Sequence, residues 1–62
     1  MVENKVKERR LELGMTLEQL AKESGVPVST IGDVEKGGEP KVKTAQMIAR
    51  ALRKTIDELW PD

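Results

Sequence analysis

The chain is 62 residues long, which admits one domain burying only about 60 % of its unfolded surface. It contains no Cys and no His, which excludes disulfide staples, thiolate or imidazole metal sites and histidine general-base chemistry. Eleven basic and eleven acidic groups cancel to zero, a balance that argues against a sequence-blind polyanion binder.

Helical spacing runs from end to end. Val2, Val6, Arg10 and Leu13 form the first stripe, and Gly14 closes it as a left-handed C-terminal residue. Thr16 opens a second helix through a capping box with Gln19, and Leu17, Leu20, Ala21 and Ser24 share a face. Gly25 stops that helix. Pro27 suits the first turn of a third, where its missing N–H costs nothing. Val28, Ile31, Val34 and Glu35 lie on one side of it. Residues 37–40 (Gly-Gly-Glu-Pro) form a loop. Thr44, Ala45, Ile48, Ala49 and Leu52 make a fourth stripe. Thr55 and Glu58 form a second capping box, which opens a short last helix with Ile56, Leu59 and Trp60, ended by Pro61. No run alternates as a strand does, no apolar run is long enough to span a membrane, and no secretion leader is legible.

The zero net charge is a sum of unlike blocks. Residues 1–14 carry +1, 15–35 carry −3, 36–54 carry +5 and 55–62 carry −3.

The middle of the chain has the spacing that two steeply crossed helices require. Ala21 is small where they cross. Gly25, four residues on, permits the turn. Val26 anchors it, and Leu20, Ile31 and Val34 face one another. Together these define a helix-turn-helix over about residues 17–36.

From Lys5 to Leu59 the chain resembles the Cro/cI-type (XRE-type) helix-turn-helix repressor family of phage and bacteria. The resemblance is carried by Arg9-Arg10-Leu11-Glu12-Leu13-Gly14, Thr16 to Ala21, Gly25-Val26, Ser29-Thr30-Ile31, Glu35-Lys36-Gly37, Pro40, Ile48 to Leu52 and Ile56 to Leu59. It implies one all-α, compact five-helix domain over residues 1–62, with a lambda-repressor-like DNA-binding fold. It also implies a homodimer on a double-stranded DNA operator, with the recognition helix, about residues 27–35, in the major groove.

By that resemblance the base-reading candidates are Pro27, Val28, Ser29, Gly32 and Asp33. Val28 can touch a thymine methyl, Ser29 can donate or accept, and Asp33 can accept from cytosine N4. Asp33 reads more readily as a solvated or capping acid. No Arg, Lys, Asn or Gln lies between Pro27 and Glu35, so the bidentate readers of guanine and adenine are missing. Gly32 costs about 1 kcal/mol inside a helix; it serves close approach to DNA or is simply tolerated. The resemblance places phosphate contacts at Thr16, Leu17, Thr30, Lys36, Gly38 (through its N–H), Lys41 and Lys43. Leu17 stands where the family often has Gln, and packing is its better reading. The loop from Gly37 to Pro40 is about one residue shorter than the family's usual spacing. Arg50, Arg53 and Lys54 are expected to face solvent on the fourth helix.

Arg10 shares a stripe with apolar residues, so its head points inward and needs a carboxylate. Glu35 is the natural partner. Ile56, Leu59 and Trp60 close the core, form a dimer contact, or do both.

Two functional classes follow. The first is a sequence-specific transcriptional regulator, most simply a repressor, cytoplasmic and controlled by its own concentration or a partner, since no effector segment is read here. The second is a protein–protein or antitoxin-like module that keeps the fold with a weakened DNA face. An enzyme is not expected: no catalytic constellation, cofactor site or small-molecule site is read. Asp57, Glu58 and Asp62 are the nearest thing to a cation site, and capping accounts for Glu58.

Overall fold

Among the described residues the helix-forming stripes fold into five helices: α1 (Val6–Glu12), α2 (Leu17–Ser24), α3 (Val28–Glu35), α4 (Val42–Ala51) and α5 (Ile56–Leu59). The computed structural model describes residues 3–61; Val2 and Asp62 lie outside the described residues.

The helix starts follow local chemistry. Thr16 Oγ1 accepts the Gln19 N–H at 3.1 Å, and Gln19 Oε1 accepts the Thr16 N–H at 2.8 Å. Thr55 and Glu58 repeat this reciprocal pair at 3.1 and 2.9 Å. At α1 the Asn4 side chain accepts the Val6 N–H at 3.0 Å, filling an orphan donor of the first turn. Pro27 sits just outside α3 as its N-cap, extended at φ −58° and ψ 146°.

Three helices end in the same way. At α1, Gly14 N–H donates to Leu11 O and Met15 N–H to Arg10 O. At α3, Gly37 donates to Val34 O and Gly38 to Asp33 O; at α4, Arg53 donates to Arg50 O and Lys54 to Ala49 O. Each is a Schellman closure, which needs a left-handed residue after the C-cap. Gly14 and Gly37 supply φ of 68° and 101°, whereas Arg53 is forced to 59°.

The core is Val6, Leu20, Val26, Ile31, Val34, Ile48, Ala49, Leu52 and Leu59, with Met15, Leu17, Ala21, Met47, Ala51, Ile56 and Trp60 packed on it. α2 packs on α3 and α4, α4 on α5, and α1 on α3. Gly25, at φ 76°, turns the chain between α2 and α3, and buried Ser24 accepts the Val26 N–H through Oγ at 3.2 Å. Arg9 Nε donates to Leu52 O at 3.0 Å, and the Lys5 N–H donates to Leu59 O at 2.8 Å. The N-terminal segment therefore fills carbonyls at the ends of α4 and α5.

Leu13 departs from the expected stripe. It is the C-cap of α1 and 38 % exposed, because the chain turns away there and Met15 packs on the core instead. Arg53 and Lys54 also lie beyond α4, in its closing turn.

Candidate nucleic-acid interface

α3 is pinned from behind. Ile31 and Val34 are buried. Arg10 Nε donates to Glu35 Oε2 at 2.8 Å and Nη2 to Glu35 Oε1 at 3.2 Å, while Nη1 reaches Met15 O at 2.8 Å. Asn4 Nδ2 donates to Val34 O at 2.7 Å. The Arg10 pKa is raised, chiefly by the hydrogen bonds to Glu35, against the opposing effect of desolvation, with further help from the charges of Glu35 and Glu18. Each nitrogen of the guanidinium is engaged inside the protein, so Arg10 holds α3 rather than a phosphate.

With its back fixed, α3 turns Val28, Ser29 and Asp33 to solvent, beside an exposed Pro27. Gly32 and Thr30 are half-buried. No atom lies within 4 Å of where a Cβ on Gly32 would stand. Val28, expected partly on the inner side, is 38 % exposed because it occupies the first helical position.

The loop after α3 carries exposed Lys36 and Lys41, and Lys43 follows in the first turn of α4. Among the described residues none of the three is in an ion pair. No side chain caps the N-terminus of α4, so its first N–H groups remain open toward an anion. Gly38 corrects an expectation. Its N–H donates to Asp33 O at 2.8 Å and so is not free for a phosphate. A Cβ there would stand 2.8 Å from that same oxygen; the glycine serves a close backbone approach. Thr16 is exposed with its oxygen accepting Gln19 N–H, which leaves its hydroxyl hydrogen to donate. Leu17 packs on the core, and an aliphatic side chain has nothing to offer a phosphate.

At the other end, Ile56 and Trp60 line an apolar groove of about 240 Å³ with Pro40, Val42 and Ala45, rimmed by Glu39. Val42 is 72 % exposed. Leu59 is 1 % exposed and closes this chain's own core, so it is removed from the dimer candidates. Arg50 is exposed on α4. Among the described residues no group of three or more acidic side chains is placed to hold a metal ion. Among the same residues no helix is long and apolar enough to cross a membrane.

Sequence reasoning missed Asn4 and Arg9 as ties between elements. An Asn two residues before a helical run is a legible turn signal, but Arg9 offered none.

Two helices crossed at a glycine turn, the second presented to solvent beside unpaired lysines, define a helix-turn-helix protein of the DNA-binding type. A family model described as Helix-turn-helix matches residues 6–59. Two proteins named "Uncharacterized HTH-type transcriptional regulator" are similar over 57 residues. One, from Archaeoglobus fulgidus, is 40 % identical, covering 90 % of this chain and 81 % of its own. The other, from Methanothermobacter thermautotrophicus, is 44 % identical, covering 89 % and 83 %. The chain belongs to the Cro/cI-type helix-turn-helix family of DNA-binding transcriptional regulators, a non-enzymatic family. Both of these relatives are archaeal.

Proposed function

We propose that the protein is a sequence-specific repressor that acts in the cytoplasm as a homodimer, with α3 of each protomer in the major groove of an operator half-site. Pro27, Val28, Ser29, Gly32 and Asp33 face the bases. Thr16, Thr30, Lys36, Lys41 and Lys43 face phosphates. The two half-sites lie about 34 Å apart, one helical turn. The observation that carries this reading is the exposed face of α3 beside Lys36, Lys41 and Lys43, cations with no acidic partner among the described residues. Repression follows from occupying the operator against polymerase. A second copy covers the groove of Val42, Ile56 and Trp60, which is apolar where a monomer gains nothing from exposure.

Random-sequence selection followed by binding at two salt concentrations tests it. An enriched palindromic motif is expected, and six lysine–phosphate contacts per dimer give a slope of log K against log salt of about −5. The same apolar groove and the acidic block over residues 15–35 support a second reading, a protein–protein or antitoxin-like module with a weakened DNA face. Absence of any enriched motif would select that alternative.

A further inference from the structure

The outward face of α3 is built from short side chains. Ser29 lies opposite the buried Ile31 and Val34, with the bare backbone of Gly32 to one side and Asp33 to the other, and Val28 at the N-terminal edge. Gly32 leaves open space where a side chain would project, so the helix axis can approach base edges closely enough for short groups to reach them. The chemistry of those groups is restrictive. Guanine offers two acceptors to the major groove, and adenine an acceptor beside a donor; within α3 the exposed side-chain donor is the Ser29 hydroxyl, Lys36 lying beyond the helix as its C-cap. Thymine offers a methyl and cytosine an amino donor, both on the pyrimidine. Val28 presents exposed methyls to the first. Asp33, acceptor only when ionised, suits the second.

Asp33 has a further peculiarity. It is exposed, has no cation partner among the described residues, and lies in the C-terminal half of α3, where the helix dipole disfavours negative charge. No ion pair among the described residues rewards an acid there, and among DNA phosphates it is repelled unless a base donor meets it.

On the regulator reading above, we propose that α3 reads pyrimidine edges. Val28 packs on a thymine 5-methyl, and Asp33 accepts from a cytosine N4 amino group within the same half-site.

The test uses the full chain and the selected operator. Each thymine is replaced in turn by deoxyuridine, which removes only the methyl. One position per half-site is expected to lose about fourfold in affinity, the worth of one buried methyl-sized group. Val28→Ala is expected to abolish the difference between thymine and deoxyuridine at that position. Asp33→Asn is expected to move the preference at one other position from cytosine to adenine, the base Asn reads. Both side chains are exposed, so the fold is not at issue. Thymines that are all replaceable without loss, or a base preference unmoved by Asp33→Asn, would overturn the proposal while leaving an enriched motif, and the regulator reading, intact. Failure to select any motif is the distinct outcome that removes the regulator reading itself.

Discussion

Arg10 of α1 and Glu35 of α3 are joined by two hydrogen bonds, and their side chains are only 9 % and 8 % exposed. The pair sets the angle at which α3 leaves the core, because it fastens the last turn of that helix to α1. Removing one partner leaves the other buried and unpaired. Arg10→Met is therefore expected to cost about 3–5 kcal/mol. A core of this size supplies a net stability of about 3–5 kcal/mol, so the variant is expected to be largely unfolded at room temperature by circular dichroism. The double variant Arg10→Met/Glu35→Leu removes both charges and is expected to recover most of the loss. A melting midpoint unmoved by Arg10→Met would remove the pair from this account.

Gly38 is held against Asp33 by the α3 closure, and a Cβ would meet backbone oxygen at 2.8 Å. Gly38→Ala is expected to cost about 1–3 kcal/mol through forced overpacking. The loop carrying Lys36 and Lys41 shifts with it. Urea denaturation reads the first effect, and operator affinity measured well below the midpoint reads the second.

Arg53 occupies the left-handed position that Gly14 and Gly37 fill in the other two closures. A left-handed L-residue costs about 1–2 kcal/mol, and glycine returns part of that as unfolded-state entropy. Arg53→Gly is expected to gain about 0.5–1 kcal/mol net, raising the midpoint of a domain this small by several degrees. Differential scanning calorimetry decides it; a lowered midpoint would mean that the side chain contributes more than its backbone strain.

Glu58 holds the start of α5. Its carboxyl pKa lies below the ordinary Glu value, first because it accepts the Thr55 N–H and then the Thr55 hydroxyl, with a smaller contribution from the charge of Lys54. A depressed carboxylate contributes stability that is present above its unfolded pKa and is lost as pH falls through the lower folded value. The Thr55 amide resonance is expected to titrate in that acid window. Glu58→Gln, which keeps an acceptor without the charge, is expected to flatten the response.

Much of the fold is legible because its signals are local. Thr16 with Gln19, Thr55 with Glu58, and Gly14, Gly25 and Gly37 each act within a few residues, so composition and spacing suffice. Arg10 was legible for a different reason: a cation on an apolar stripe demands a carboxylate, and Glu35 was the inward-facing one. Leu13 fits the helical stripe in sequence yet lies exposed at the C-cap, because periodicity does not say where a helix stops. Spacing leaves Leu59 open between core and dimer contact, because it does not separate a closed core from its rim; burial at 1 % exposure decides for the core. In the sequence Gly38 has the look of a free donor, because its acceptor, Asp33 O, becomes near only once the helix end curls back.

The sequence by itself determined five amphipathic segments, their caps, the glycine turn between α2 and α3, and the family, since each is written in residue types at short separations. Only the tertiary structure decided that every guanidinium nitrogen of Arg10 is engaged inside the protein, that Leu59 is closed in this chain's own core, and that Lys36, Lys41 and Lys43 stand without acidic partners among the described residues. Those properties depend on contacts between residues far apart in the chain, such as Asn4 with Val34 and Arg9 with Leu52. Such contacts form only when burial of the common core brings the helices together.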